Sequence, residues 1–280
     1  MSTWELGWFP FLKAFYGLPM DERELAVYRK CTGRPDIPQK EFSEAWVIVG
    51  RRAGKTIAAS LIMLYEALRR EHREYAVGGE MPRGIIIATD RQQAGQAPGY
   101  MRGTLEESEH LRPYMKEAFK ESIHLHNDSI LKVQSFSYRN IRGRRCFCFI
   151  GGEAAFWHVE GERPAEAIIA AMRPSLATVP NAKMIIISSP YSRSGPLYQT
   201  WEKFWGKPDP NILFWRSETR QMNPLISESY IHDQLNQDLA AASSEWIAEW
   251  RDDRTGLLAH DVVKAACILT GTMAPQKYIV

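Results

Sequence analysis

The residues best suited to chemistry form a short loop, Gly50–Thr56, with the sequence Gly-Arg-Arg-Ala-Gly-Lys-Thr. This phosphate loop follows an apolar segment, Ala45–Val49, that predicts a buried strand. It precedes Thr56–Arg70, whose apolar residues recur at helical spacing. In a strand–turn–helix unit of this kind, backbone N–H groups of the turn and of the helix start can surround a polyphosphate. Lys55 would add a positive charge at the β- and γ-phosphates, and Thr56 would offer its hydroxyl to Mg²⁺. The sequence therefore predicts a site for ATP and Mg²⁺.

The phosphate loop departs from the usual spacing G-x-x-x-x-G-K-[S/T], because Val49 stands at the position of the first glycine. It also contains two arginines, Arg51 and Arg52. A guanidinium beside the phosphates can act on the γ-phosphate within the same subunit. The alternative is that both arginines only solvate the loop. We interpret the segment as a deviant phosphate-binding loop in which at least one of the two arginines has a catalytic or sensing role.

Two further apolar segments end in residues that suit ATP hydrolysis. Cys146–Ile150 is followed by Gly151, Gly152 and Glu153. Strands of this kind usually end in Asp-Glu, where the Asp helps to hold Mg²⁺ and the Glu polarises the attacking water. Glu153 is present, whereas Gly152 occupies the position of the Asp, which makes turnover uncertain. The segment Lys183–Ile187 is followed by Ser188, Ser189 and Pro190. The hydroxyls of the two serines could sense the γ-phosphate.

The elements that must position these residues alternate between short apolar strands and helices. Such alternation favours a mainly parallel sheet covered on both faces. The strand pattern fades after about residue 218, which predicts an ATPase core over residues 1–218 and a small helical lid and linker subdomain over 219–280. The predicted strands are Ala45–Val49, Gly84–Ala88, Cys146–Ile150, Lys183–Ile187 and Ile212–Arg216, with a hairpin over Ser122–Val133 and helices over Met20–Cys31, Thr56–Arg70, Gln92–Met101 and Leu105–Phe119.

Composition excludes several classes of protein. The chain has 280 residues and a formal net charge of +2, so it is neither a generally basic nucleic-acid coat nor an acidic solvating protein. Hydrophobic residues make up 45%, which rules out wholesale disorder. The four cysteines do not form a disulfide framework, and strand alternation predicts that Cys146 and Cys148 lie on one face of the sheet as core residues. We see neither a transmembrane segment nor a secretion signal.

Taken together and in order, these motifs resemble the ATPase part of the large terminase subunit of tailed bacteriophages, the motor that packages DNA. The segments that carry the resemblance are Gly50–Thr56, Ile85–Ala94, Asn140–Arg144, Glu153–Trp157, Ser188–Pro190 and Trp250–Asp253. The resemblance implies an α/β fold of the P-loop NTPase class, of the RecA-like, ASCE type. It implies ATP hydrolysis coupled to translocation of double-stranded DNA into the procapsid in the host cytoplasm. The implied partners are the portal protein, the small terminase subunit and further copies of the chain in a ring, with no membrane.

The resemblance also assigns roles to individual residues. Arg51 would face the γ-phosphate, Glu153 would be the catalytic glutamate, and Ser188–Pro190 would couple hydrolysis to motion. Gln39 would read the adenine, which completes a predicted ATP-binding set of Gly50, Arg51, Arg52, Ala53, Gly54, Lys55, Thr56 and Gln39. An arginine acting on a neighbouring subunit would be one of Arg139, Arg142 and Arg144, which together with Arg145 are candidates for DNA contact.

Two departures from the family pattern leave alternatives open. Gly152 in place of the Asp motivates a second hypothesis, an ATP-binding assembly module that does not hydrolyse ATP. A different P-loop enzyme, such as a helicase or a small-molecule kinase, is a third. Family members continue into a nuclease of the RNase H type, whereas this chain stops at Val280, so we expect no DNA cleavage by it.

Overall fold

The computed structural model describes residues 2–75, 78–88, 91–135, 145–157 and 164–251. Its strands are β1 (Glu44–Val49), β2 (Arg83–Ala88), β3 (Met115–Ala118), β4 (Ser122–Leu125), β5 (Ile130–Ser135), β6 (Cys146–Gly152), β7 (Lys183–Ser188) and β8 (Ile212–Ser217). Its α-helices are α1 (Trp8–Phe15), α2 (Glu22–Thr32), α3 (Lys55–Leu68), α4 (Arg91–Glu107), α5 (Pro164–Ala177), α6 (Gly195–Phe204), α7 (Thr219–Met222), α8 (Glu228–Gln237) and α9 (Leu239–Ile247). Short 3₁₀ turns cover Ser2–Trp4, His72–Tyr75, Arg112–Tyr114 and Ala154–Phe156.

The strands form one sheet in the order β3-β4-β5-β2-β6-β7-β1-β8. The pairs from β5 to β8 are all parallel, and only β3–β4 and β4–β5 are antiparallel. The prediction of a mainly parallel α/β sheet flanked by helices is confirmed. Because β7 lies between β6 and β1, the three motifs at the carboxyl ends of these strands are neighbours.

Each face of the parallel sheet is covered by its own core, because alternate residues of a strand point to opposite faces. In β1, Val47 and Val49 join the core that includes α1 and α3, whereas Trp46 and Ile48 join the core that includes α5. All six residues of β1 are buried. This burial on both faces explains why β1 is a continuous apolar run in the sequence.

The prediction that Cys146 and Cys148 share one face is wrong. Cys146 lies in the core beside α5, and Cys148 lies in the core on the opposite face. The pairing of β6 with β2 shifts register at this point, since Arg83 pairs with Cys146 and Gly84 pairs with Cys148. A bulge of this kind inserts one residue and so reverses the alternation of faces. Both cysteines are buried and free, as expected for core residues.

The predicted helix Leu105–Phe119 is also wrong over most of its length. Helix α4 continues through Pro98 and ends at Glu107, and residues 115–118 form the edge strand β3. Met115 and Ala118 pair with Leu125 and Ile123 of β4. Pairing with this neighbouring strand, which the local pattern cannot reveal, therefore decides the structure of this segment.

Helices from both ends of the described chain contact the phosphate loop, α1 through Trp8 and α9 through Glu245. Helix α1 lies against β8 through Phe11 and Trp215, whose ring centroids are 5.6 Å apart. Helices α8 and α9 share a small separate core of Ile231, Ala242 and Trp246.

The predicted division of the chain into an ATPase core and a helical subdomain at residues 218 and 219 stays a prediction. Within the part of the chain that the structure describes, no helix combines the length and the apolar character needed to cross a bilayer.

Candidate active site

Sheet topology brings the three predicted motifs together at one edge of the sheet. The phosphate loop follows β1, Ser188 ends β7, and Gly152 ends β6. These three strands are adjacent and parallel, so their carboxyl ends meet at the same edge. Ligands of open α/β sheets bind at this edge. The strand order, which local sequence patterns do not reveal, therefore supports the grouping of motifs that the sequence suggested.

The phosphate loop turns sharply into α3. Arg52 has a φ of +60° and Gly54 a φ of +85°, and the left-handed conformation at Gly54 is one that glycine adopts without strain. Helix α3 starts directly afterwards at Lys55, so its N-terminal N–H groups open toward the loop. The indole of Trp8 donates a hydrogen bond of 2.7 Å to the carbonyl of Ala53 and fixes the outer side of the turn. The arrangement presents the positive end of a helix to an anion.

Lys55 is the centre of the hydrogen-bond network in this site. Its Nζ donates to the Ser189 hydroxyl at 2.8 Å and to the Gly50 carbonyl at 3.2 Å, and it lies 3.4 Å from Oε1 of Glu153. Only 12% of the Lys55 side chain and 23% of the Glu153 side chain are exposed, so water screens this ion pair less than it would a surface pair. One residue from each predicted motif therefore meets at a single ammonium group.

Glu153 adopts a strained backbone conformation at the end of β6. Its φ of +53° and ψ of +41° are left-handed, which costs a residue with a Cβ roughly 1–2 kcal/mol. Its N–H donates to the carbonyl of Ile187 at 2.7 Å, which ties β6 to β7 at this point. Strain of this kind concentrates at functional sites, and here it turns the carboxylate toward Lys55.

The two serines at the carboxyl end of β7 act differently. The Ser188 hydroxyl is buried, accepts a hydrogen bond from the N–H of Ala155 at 3.1 Å, and donates to the carbonyl of Ser189 at 2.9 Å. The Ser189 hydroxyl faces Lys55 instead. Ser188 therefore shapes the backbone after Glu153, and Ser189 is the member of the pair that can report on a ligand at Lys55.

A cleft of about 680 Å³ lies over these residues, a size ordinary for small-molecule sites. Three cationic side chains, Arg51, Arg52 and Lys55, and one carboxylate, Glu153, line it among the described residues, so its charge favours an anion. Ile57, Tyr100 and Phe156 contribute exposed apolar surface to its walls. The cleft therefore suits a ligand that combines phosphates with an apolar ring.

Magnesium can be accommodated although the expected Asp is a glycine. Thr56 lines the cleft and offers its hydroxyl, and Glu153 supplies a carboxylate. Mg²⁺ usually keeps several waters and takes only one or two protein ligands beside substrate phosphates, so these donors fit the ion. A Cβ at Gly152 would lie 3.1 Å from the carbonyl oxygen of Ile87, which is a tight contact. The backbone of β2 therefore favours glycine at this position.

The two loop arginines contact the C-terminal segment of the described chain. Arg51 forms an ion pair of 3.0 Å with Glu245 of α9. The carbonyl of Arg52 accepts a hydrogen bond of 2.7 Å from the Asn223 amide, and the carbonyl of Arg51 accepts one of 2.9 Å from the Thr219 hydroxyl. Sequence reasoning missed these partners, because no local pattern connects the C-terminal helices with the phosphate loop.

Gln39 is not brought to the cleft. It lies before β1, while the phosphate loop follows β1, so roughly 20 Å of strand separates them. Its side chain is exposed, and its amide donates only a weak hydrogen bond of 3.4 Å to the carbonyl of Ile37. Arg145 forms an ion pair of 3.2 Å with Glu80. The candidate arginines Arg139, Arg142 and Arg144 lie outside the described residues.

Comparison with known proteins finds similarity at the level of structure. No protein-family model matches the chain, and no curated protein does. The ATPase domain of the large terminase from Thermus phage P74-26 aligns with a TM-score of 0.59 at 18% identity, over 86% of this chain and 97% of that chain. The large terminase of bacteriophage HK97 aligns with a TM-score of 0.60 at 16% identity, over 86% of this chain and 54% of that one.

The large terminase of a thermophilic bacteriophage, in complex with ADP, aligns with a TM-score of 0.52 at 14% identity, over 75% of this chain and 48% of that one. The complex of the same protein with ATP-gamma-S aligns with a TM-score of 0.51 at 14% identity, over 74% and 47%. The chain spans about half the length of the complete large terminases that it matches. The resemblance inferred from the sequence is thus confirmed for the fold: this chain has the α/β P-loop NTPase fold of phage large terminase ATPase domains.

Proposed function

We propose that this chain is the ATP-hydrolysing motor domain of a phage large terminase, which drives double-stranded DNA into a procapsid. The observation that carries the proposal is the meeting of Lys55, Glu153 and Ser189 in a cationic cleft at the carboxyl edge of the sheet. The three residues come from three separate motifs. Their order along the chain is also that of the terminase family.

In the proposed reaction, the phosphates of ATP replace the present partners of Lys55. The ammonium group now contacts Glu153 and Ser189 within 3.4 Å, and an incoming γ-phosphate offers stronger, fully charged acceptors. Glu153 is then free to hold the attacking water and to accept its proton at a carboxylate oxygen. The water oxygen bonds to the γ-phosphorus, and the bond from that phosphorus to the β–γ bridging oxygen breaks, so that ADP leaves with the bridging oxygen and inorganic phosphate is formed. Arg51 and Lys55 neutralise the charge that spreads over the phosphoryl oxygens. Ser189, which has lost its hydrogen bond to Lys55, passes the change to the loop after β7.

The Thr56 hydroxyl would hold Mg²⁺, with Glu153 as the carboxylate that lines the same cleft and water as further ligands. Bound there, the ion would neutralise charge on the β- and γ-phosphates. Asn223 and Tyr100 line the same cleft. They replace Gln39 as our candidates for contact with the nucleoside.

For the motor role we propose a homo-oligomeric ring on the portal protein, with the small terminase subunit as a further partner, in the host cytoplasm. A motor that moves DNA must grip the phosphate backbone without reading sequence, which requires basic side chains. Arg139, Arg142, Arg144 and Arg145 remain the candidates, for contact with DNA or, among the first three, for completing a neighbouring active site.

Gly152 supports a second function, an assembly module that binds ATP without hydrolysing it. Both functions share the binding steps and differ only in turnover. The module would bind ATP with Mg²⁺ and release no phosphate, with or without DNA.

The test measures steady-state phosphate release and equilibrium binding of ATP on the same protein, with Mg²⁺ and linear duplex DNA. For the motor we expect turnover that DNA stimulates. Glu153→Gln should lower kcat at least a hundredfold and leave the dissociation constant of ATP within a few fold, because its carboxylate acts on water. Lys55→Ala should lose binding itself. Lys30→Ala, which removes an exposed lysine paired with Glu218 outside the cleft, is the matched control and should match the wild type.

The outcomes separate the hypotheses. Binding without turnover in the wild type would favour the assembly module. Absence of binding in the wild type, or binding that Lys55→Ala does not weaken, would reject both. Turnover without any response to DNA would favour a different P-loop enzyme.

A further inference from the structure

We infer that Trp8 is a positioning residue for the phosphate loop, which it holds in the conformation that turns a backbone N–H toward a bound phosphate. The inference rests on the proposed function, because it concerns how the same cleft would bind the phosphates of a nucleotide. It gives helix α1 a part in ligand binding, although no residue of α1 lines the cleft.

Trp8 contacts the loop at the peptide that joins Ala53 and Gly54. Its indole Nε1 donates a hydrogen bond of 2.7 Å to the carbonyl of Ala53, and its side chain is fully buried. Ala53 lines the cleft whereas Trp8 does not, so the Ala53 carbonyl points away from the cleft. In a trans peptide the C=O and the following N–H point in opposite directions. The N–H of Gly54 is therefore turned toward the space where phosphates would lie.

Glycine makes this peptide easy to turn over, which is why a separate residue has to hold it. Gly54 has a φ of +85°, and glycine adopts positive and negative φ about equally well. A flipped peptide would aim the Ala53 carbonyl oxygen at the anion and would turn the Gly54 N–H away from it. The hydrogen bond from Trp8 stabilises only the first orientation. A Cβ at Gly54 would lie 3.3 Å from Nε1 of Trp8, so the indole packs closely on the turn.

The two preceding carbonyls of the loop also accept hydrogen bonds from side chains outside it. The Thr219 hydroxyl donates to the carbonyl of Arg51, and the Asn223 amide donates to that of Arg52. Three consecutive carbonyls, counting that of Ala53, are thus paired before any ligand binds. Successive backbone N–H groups can form a concave anion site, and fixing their peptides in advance lowers the cost of binding.

Helix α1 is itself anchored in the core, so the indole acts as a fixed donor. Trp8 packs edge-on against Phe11 of the same helix, with ring centroids 5.7 Å apart. Phe11 packs in the same way against Trp215 of β8. All three side chains are fully buried. The core beside β8 therefore sets the position of the indole, and the indole sets the turn of the phosphate loop.

The test measures the affinities for ADP and for inorganic pyrophosphate by titration calorimetry, together with KM and kcat for ATP hydrolysis. Trp8→Phe keeps an aromatic ring and removes the donor. We expect it to bind both ligands about three- to tenfold more weakly, the range for one lost hydrogen bond. KM should rise by a similar factor and kcat should stay within about twofold, because the Gly54 N–H would contact the phosphates equally in the ground and transition states.

Trp215→Phe is the matched control, because it makes the same change of volume inside the same core. The Trp215 side chain is fully buried and packs on Phe11, but its Nε1 has no hydrogen-bond partner among the described residues. Both variants should lose stability through the cavity that phenylalanine leaves. Only Trp8→Phe should lose affinity for the phosphates.

A second replacement at position 8 separates the hydrogen bond from packing even if Trp8→Phe does not fold. Benzothienylalanine, in which sulfur takes the place of the indole N–H, keeps the shape of the tryptophan side chain. It should weaken pyrophosphate binding by the same three- to tenfold.

NMR relaxation dispersion gives a further readout that needs no ligand. The Gly54 amide should show exchange on the microsecond to millisecond timescale in both Trp8 variants, because the peptide before it now turns over. The wild type and Trp215→Phe should show none at this amide.

The possible results separate the inference from the proposed function. Equal affinity of the wild type and both Trp8 variants for pyrophosphate would overturn the inference. An equal loss of affinity in Trp215→Phe, or a fall of kcat at unchanged KM, would also overturn it. If the wild type binds pyrophosphate in a manner that depends on Trp8 but hydrolyses no ATP, the inference stands and the motor function fails. If the wild type binds neither ADP nor pyrophosphate, both fail.

Discussion

Replacement of Gly50 by alanine tests whether the C-terminal helices lie on the phosphate loop. The added Cβ would come within 2.2 Å of the Thr219 hydroxyl oxygen, 2.7 Å of the carbonyl oxygen of Glu245 and 3.0 Å of that of Trp246. The hydroxyl can rotate away, but the two carbonyls belong to the backbone of α9. Since a carbon–oxygen contact needs about 3.4 Å, the loop and α9 must separate by roughly 0.7 Å.

Overpacking of this kind costs about 1–3 kcal/mol. For a protein of this size, each kcal/mol lowers the melting temperature by roughly 2–4 °C, so we expect a fall of about 2–12 °C. Nucleotide affinity should fall as well, because Lys55 is anchored to the carbonyl of Gly50 at 3.2 Å. The assays are differential scanning calorimetry and titration with ADP.

Gly99→Ala is the matched control, because a Cβ there meets nothing within 4 Å and the residue lies inside α4. Alanine is the better helix former, so this variant should match the wild type or exceed its stability by up to about 1 kcal/mol. Thr219→Ala in the Gly50→Ala background should recover only part of the loss, since the two carbonyls remain. An unchanged melting temperature and affinity for Gly50→Ala would refute the packing of α9 on the loop.

Three further predictions address other parts of the site and the fold. Gly152→Ala should cost only about 1 kcal/mol in chemical denaturation, because its tightest contact is 3.1 Å, and a loss above about 3 kcal/mol would contradict this expectation. Ser189→Ala removes the 2.8 Å hydrogen bond to Lys55 and should lower kcat several-fold with little change in ATP affinity; a change confined to affinity would refute a sensing role. The pKa of Glu41 is lowered, since Lys183 and other cations outweigh the effect of burial. Its contribution to stability is therefore present above the unfolded pKa of about 4.3 and is lost as pH falls through the lower folded value. Glu41→Gln should lose about 1–3 kcal/mol at pH 7 and flatten the decline of unfolding free energy below about pH 4, and a variant with the wild-type slope would contradict the assignment.

The sequence predicted the parallel strands well because both of their faces are buried. Segments such as Ala45–Val49 and Lys183–Ile187 are continuous apolar runs, and such a run bounded by turn residues has few other structures available. Local chemistry was also enough to predict the turn at Gly54. The structure places Lys55 and Glu153, which short motifs singled out, 3.4 Å from each other, while their roles stay a prediction.

What the sequence could not predict depends on contacts between distant segments. Strand β3 is exposed and charged, so only its pairing with β4 distinguishes it from a helix. The bulge at Cys146 depends on the register with β2, which no pattern inside β6 records. Glu245 lies 194 positions after Arg51, and nothing in its own surroundings marks it as a partner of the loop.

The strand order has a physical consequence for how hydrolysis could become motion. Because β7 lies between β1 and β6, Ser189 sits between the lysine that would bind the phosphates and the glutamate that would direct water. Helix α9 holds both sides of this arrangement, through Arg51 on one loop and Pro190 on the other. Under the proposed function, loss of the γ-phosphate would change the partners of Lys55 and free it to contact Glu153 and Ser189 again. Because α9 contacts both loops, a movement of either loop would act on the same helix.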